Sequence, residues 1–138
     1  MSAEQANVIR VMLGAWNRGD IDAVVATATD SLEWHPLVVT AIEGDGHIFR
    51  GHAGFREFVE GWTNTWETWN LEVEEFREIG DQLLALTHVT AKGRGSGIEF
   101  DQAMAHLFEF DGDLICRAQS FLQRDAAVSF AERRAETA

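Results

Sequence analysis

The stretch "IEFDQAMAHLFEFDGDLICRAQSFLQ", residues 98–123, decides how this chain folds. Apolar and polar residues alternate on both sides of "DGD" (111–113), the pattern of two β-strands joined by a tight hairpin. A two-residue loop at 111–112 or 112–113 sets His106 opposite Arg117 or Gln119. Alternation then places Met104, His106, Phe108 and Phe110 on one face with Ile115, Arg117, Gln119 and Phe121. Rings, a thioether and a few polar heads on one surface suit a ligand cavity. The plainer alternative is a mixed core in which His106 and Arg117 satisfy each other or nearby carbonyls. The opposite face is mostly small and smooth: Ala103, Ala105, Leu107 and Glu109 with Cys116, Ala118, Ser120 and Leu122. Such a face suits packing against another sheet, as in a homodimer.

The same period of two extends upstream. "LEVEEFREI" (71–79) alternates until Glu74–Glu75, where the slip predicts a bulge, and Gly80–Asp81 turns it into "QLLALTHVTAK" (82–92). "GRGSG" (93–97) reads as the next hairpin turn, since it has no lysine or following helix to make a phosphate loop. Further back the period becomes helical. Residues 4–18 carry Ile9, Met12, Leu13 and Trp16 at helical spacing. Gly19 suits a helix stop, and Asp20 can cap a second helix over 21–28. "SLEWH" (31–35) is a short strand ended by Pro36, and residues 37–50 read as a loop. "GHAGFREFVEGWTNTWETW" (51–69) is the strongest helix, with Phe55, Phe58, Val59, Trp62 and Trp66 on one face. Asp125 can cap a last helix running to about residue 134. Helices against one face of a mostly antiparallel sheet make an α+β fold.

Composition narrows the function. With 138 residues, 46% of them hydrophobic, the chain reads as a single domain over 1–138 with its core at about 5–130. Nine Phe and five Trp without any Tyr imply a large core or a pocket with apolar walls. A net charge of −12 argues against nucleic acid or an anionic membrane as partner. No run approaches the ~20 apolar residues of a membrane span. The lone Cys116 permits neither an internal disulfide nor a thiolate cluster, and the start lacks signal-peptide character, so the expected setting is the cytoplasm.

Several short strings, in this order, resemble one family: "AWNRGDIDAV", "EWHP", "FRGHAGFREFV", "GRGSGIEF", "AHLFEFDGDLI" and "QRDAA". Together they resemble the SnoaL-like branch of the nuclear transport factor 2-like superfamily, over roughly residues 5–130. The resemblance implies a cone-shaped roll, a curved sheet around a long helix with a pocket at its open end. Members include polyketide cyclases, ketosteroid isomerases, epoxide hydrolases, dehydratases and proteins without catalysis, and many dimerise through the outer sheet face. Isomerase relatives keep a base before a proline on the first strand, which here is His35 before Pro36. Their two oxyanion donors fall at Met12 and Met104, so two of three parts are absent. The hydrolases' central arginine could be Arg117, but no pair of acids accompanies it. The cyclases' acid and histidine would be Asp101 and His106.

The candidate catalytic set is thus His35, His106 and Arg117. An imidazole titrates near neutrality and can serve as a base, while Arg is suited to polarising a carbonyl or holding a carboxylate. The plainer reading of His35 is a polar strand-end residue bonding the 37–50 loop. Around the set, Met12, Trp16, Phe58 and Trp62 from the helices form candidate ligand walls. Met104, Phe108, Gln119 and Phe121 supply the sheet side. His88 falls opposite about Gln102, too far along for an obvious metal shared with His106. His47 and His52 accompany Glu43 and Asp45 without a recognised ligand spacing. No cofactor or metal is expected. The expected function is cofactor-independent acid–base chemistry on a small apolar carbonyl compound, as isomerase, cyclase or dehydratase. The alternative is a non-catalytic dimeric protein that binds a small hydrophobic ligand.

Overall fold

The computed structural model describes residues 3–36 and 47–137. The helices are α1 (Ala3–Arg18), α2 (Ile21–Val25), α3 (Gly51–Thr65) and α4 (Arg124–Thr137). The strands are β1 (Ala28–His35), β2 (Phe49–Arg50), β3 (Trp66–Ile79), β4 (Gln82–Gly93), β5 (Glu99–Asp111) and β6 (Leu114–Phe121). They form one six-stranded sheet in the order β2-β1-β6-β5-β4-β3. All neighbours are antiparallel except β1 and β6, which run parallel. The chain is therefore α+β, as expected.

Local chemistry sets the element ends. Gly19 takes φ +72°, and it and Asp20 return their amides to the carbonyls of Trp16 (3.0 Å) and Ala15 (2.9 Å), closing α1. Asp20 Oδ1 then accepts the Ala23 amide at 3.2 Å and caps α2. The slip expected near Glu74 is a register shift between Val73 and Glu75. The long helix is shorter than its spacing predicts. It ends at Thr65, and Trp66 opens β3, pairing with Gly93. Thr, Trp and Leu fit a pleated surface well, and sheet pairing overrides the helical spacing of Trp62 and Trp66.

The sheet has two covered faces. Helices α1 and α3 pack on the inner face around Ile9, Met12, Trp16, Phe55 and Val59. Asn17 fastens α1 to β3 by donating to Leu71 O (3.0 Å) and accepting from Leu71 N (2.9 Å). On the outer face, α4 buries Ala127 and Ala131 against Leu84, Leu86, Ala105 and Leu107. Part of the face assigned from sequence to a second copy is thus occupied by this chain's own last helix. Among the described residues, no helix is long and apolar enough to cross a membrane.

Candidate functional site

A bulge on β6 decides which residues meet the cavity. Near the turn, Asp111 faces Leu114 and Phe110 faces Ile115, as the hairpin count predicts. One step on, Glu109 faces Arg117, so Cys116 is an extra residue on β6. Beyond it every side chain has changed face. His106 lies opposite Ser120, and Phe108 opposite Ala118. Arg117, Gln119 and Phe121 move to the outer face with Glu109, Leu107 and Ala105. Their expected place in the cavity wall is corrected accordingly.

Strand β1 follows the same register. Trp34 aligns with Ala118 and His35 with Gln119. Leu32 and Trp34 are buried on the inner face, 0% and 4% exposed, which turns Glu33 and His35 outward. His35 therefore lies outside the cavity that the resemblance assigned it to. Trp34 takes that place, stacked on Phe55 with ring centroids 4.9 Å apart.

The inner cavity has a volume of about 180 Å³. Met12 and Trp16 of α1, Phe58 and Trp62 of α3, and Met104, His106 and Phe108 of β5 all line it. So do seven residues not expected there: Leu13, Trp34, Trp66, Leu71, Val89, Phe100 and Ser120. Trp34 could have been found from the alternation of Leu32 and Trp34 with Glu33 and His35. Ser120 was hidden by the bulge.

His106 and Ser120 supply the polar chemistry of this apolar chamber. His106 Nδ1 lies 3.0 Å from Ser120 Oγ, and its other nitrogen, Nε2, has no partner among the described residues. The indole N–H groups of Trp16, Trp34 and Trp62 are likewise buried without a partner among the described residues. Burial pushes the His106 pKa down to about 4, so its ring is neutral at neutral pH. A neutral imidazole has one donor and one acceptor nitrogen, and an indole only a donor. When Ser120 donates to Nδ1, His106 presents Nε2–H as a donor. In the reverse arrangement Nε2 is a bare acceptor. The chamber can therefore hold a small apolar molecule by an oxygen.

Residues 9–118 match the family model for the SnoaL-like domain. The chain belongs to this family. Among solved structures the SnoaL-like domain is similar to TerC, co-crystallised with polyporic acid, at 18% identity and TM-score 0.74, covering 94% of this chain and 99% of that one. It is similar to a nuclear transport factor 2-like protein of unknown function from Burkholderia pseudomallei, at 18% identity and TM-score 0.75, covering 94% and 97%. A third is Rv0760c from Mycobacterium tuberculosis in complex with estradiol-17beta-hemisuccinate, at 12% identity and TM-score 0.74, covering 90% and 97%. These likenesses show the fold. No curated protein sequence matches the chain.

The remaining polar residues of the SnoaL-like domain group outside the chamber. His35 Nε2 lies 3.1 Å from Glu33 Oε1, and Arg50 donates to Glu33 Oε2 at 3.3 Å. The hydrogen bond from His35 holds the Glu33 pKa below its usual value. Burial, then the Arg117 charge, lowers that of His35. Arg117 donates to Gln119 Oε1 at 2.7 Å, sits 5.5 Å from the Phe130 ring centre of α4, and has Glu109 Oε2 at 3.8 Å. Arg134 of α4 binds the same Glu109. The predicted catalytic trio is thus divided, with His106 inside and His35 and Arg117 outside.

Asp101 is also outside, paired with His88 Nε2 at 2.5 Å, so it does not join His106. His88 faces Ala103, one position from the expected Gln102. His52 Nε2 bonds Ala28 O at 2.7 Å, and His47 rests edge-on against Phe49. Glu43 and Asp45 lie outside the described residues.

Proposed function

We propose that this SnoaL-like domain binds a small apolar carbonyl compound in the inner chamber, with the carbonyl oxygen held by His106. The observation that carries this reading is the unpartnered His106 Nε2 within an apolar enclosure. An unpaired buried polar group costs about 1–3 kcal/mol, which a ligand oxygen offsets. The size is also suitable: an apolar cavity of roughly 150 Å³ holds benzene. A chamber of about 180 Å³ has room for one substituted ring. The two similar structures crystallised with small molecules support ligand binding as the use of the fold. One chain supplies every lining residue named above, so this reading does not require the homodimer. A cytoplasmic setting rests on composition alone.

The second reading is a cofactor-independent isomerase, cyclase or dehydratase acting on the same ligand. It is favoured by the same imidazole, which in its other arrangement offers Nε2 as an acceptor for a substrate proton. In both readings we assign Arg117 to the ion network beneath α4 and His35 to the pair with Glu33 on β1.

Acetophenone and ethylbenzene differ chiefly in the carbonyl and test the proposal directly by calorimetric titration. The expected result is acetophenone binding about three- to tenfold more tightly, with the preference lost in His106→Leu. Equal binding of the two compounds by the unaltered protein would sink the reading. Conversion of bound substrate that stops in His106→Leu would select the enzyme.

A further inference from the structure

Beside the inner chamber lies a second, open hollow of about 570 Å³, bordered by His47, Phe49, Glu57, Gly61 and Thr65. Phe58, Trp62 and Trp66 line both spaces. Each of these three residues carries a ring on a rotatable stem. Trp62 meets Trp16 edge-on at 6.0 Å on the chamber side and Trp66 at 5.7 Å beside it. Unlike the fully buried Phe55, the three partition residues are only partly buried. Rotation of partly exposed rings is fast compared with backbone rearrangement.

From these features we infer that the two spaces are halves of one binding site, with Trp62 as the movable partition. The ligand class is then a linear two-ring aromatic ketone, its carbonyl end in the inner chamber and its distal ring in the outer hollow. This rests on the binding reading given above and extends it. The outer hollow adds polar groups at its rim, His47 and Glu57, where the far end of a longer ligand meets water.

Gly61 allows the inference to be tested without touching the chamber. It borders only the outer hollow, and a side chain begun there meets nothing within 4 Å. It lies within α3 and does not require glycine's conformational freedom, so Gly61→Phe fits the helix while filling the hollow. The probes are acetophenone and 4-acetylbiphenyl, which carry the same carbonyl on one and two rings. The unaltered protein is expected to bind 4-acetylbiphenyl on the order of tenfold more tightly, from the extra buried ring. Gly61→Phe should remove that gain and leave acetophenone within about twofold. In stopped-flow mixing, Trp62→Ala should accelerate association of 4-acetylbiphenyl by opening the partition. The inference is overturned if the second ring adds no affinity, or if its gain survives Gly61→Phe. In those cases acetophenone binding that depends on His106 still upholds the one-chamber reading. If neither probe binds, both fall.

Discussion

At the scale of single residues, His106 combines a stability cost with a binding opportunity. Its pKa is about 4 in the fold against 6.5 in the free side chain. Between those values the unfolded chain holds the extra proton, so stability is fully present above about pH 6.5 and is lost as pH falls toward 4. The loss attributable to this group is on the order of 3 kcal/mol. Denaturant titrations at pH 7 and pH 4 should show His106→Leu losing less stability than the unaltered protein by about that amount. An identical pH loss in both would mean that the ring is solvated in the fold. His106 was legible as a chamber residue because β5 alternates cleanly. His35 was misplaced because its position before Pro36 outweighed the alternation of "LEWH", in which Leu32 and Trp34 are the apolar pair.

At the scale of elements, the hairpin β5–β6 was legible in its turn and strand lengths but not in its register. A bulge residue carries no distinctive side chain here, since Cys116 is half-buried and makes a plausible strand residue. Deleting it closes the bulge and keeps Arg117 opposite Glu109 and Ser120 opposite His106, whereas deleting Ala118 forces Arg117 or Gln119 inward. The expected cost of deleting Ala118 exceeds about 4 kcal/mol, or folding fails, whereas deleting Cys116 costs less than about 3 kcal/mol. Urea unfolding of the two deletion variants makes the comparison, and similar stabilities would refute the bulge as the cause of the face change. The boundary of α3 was missed for a related reason. Trp62 and Trp66 keep helical spacing, and only the pairing of Trp66 with Gly93 reveals the strand.

At the scale of the whole molecule, the order of elements was largely legible, because hydrophobic period, glycine turns and an aspartate cap agreed along the chain. The covering of the outer face was not, because the side chains α4 buries fully are small, Ala127 and Ala131, and its sequence looks solvated. A stop after Gln123 uncovers Leu84, Leu86 and Leu107 and removes Arg134 from Glu109. Size-exclusion chromatography of that truncation should show concentration-dependent self-association. A well-behaved monomer would show that the helix is dispensable. The bulge also reaches beyond its own strand. It acts as a frameshift in space: upstream of residue 116 the strand follows one reading frame, downstream the other. A strand of these same residues running regularly through position 116 would exchange the chemistry of chamber and exterior without any change in sequence. For this family, counting residues between the turn and the pocket histidine's partner is therefore a sharper guide to the contents of the chamber than matching residue types.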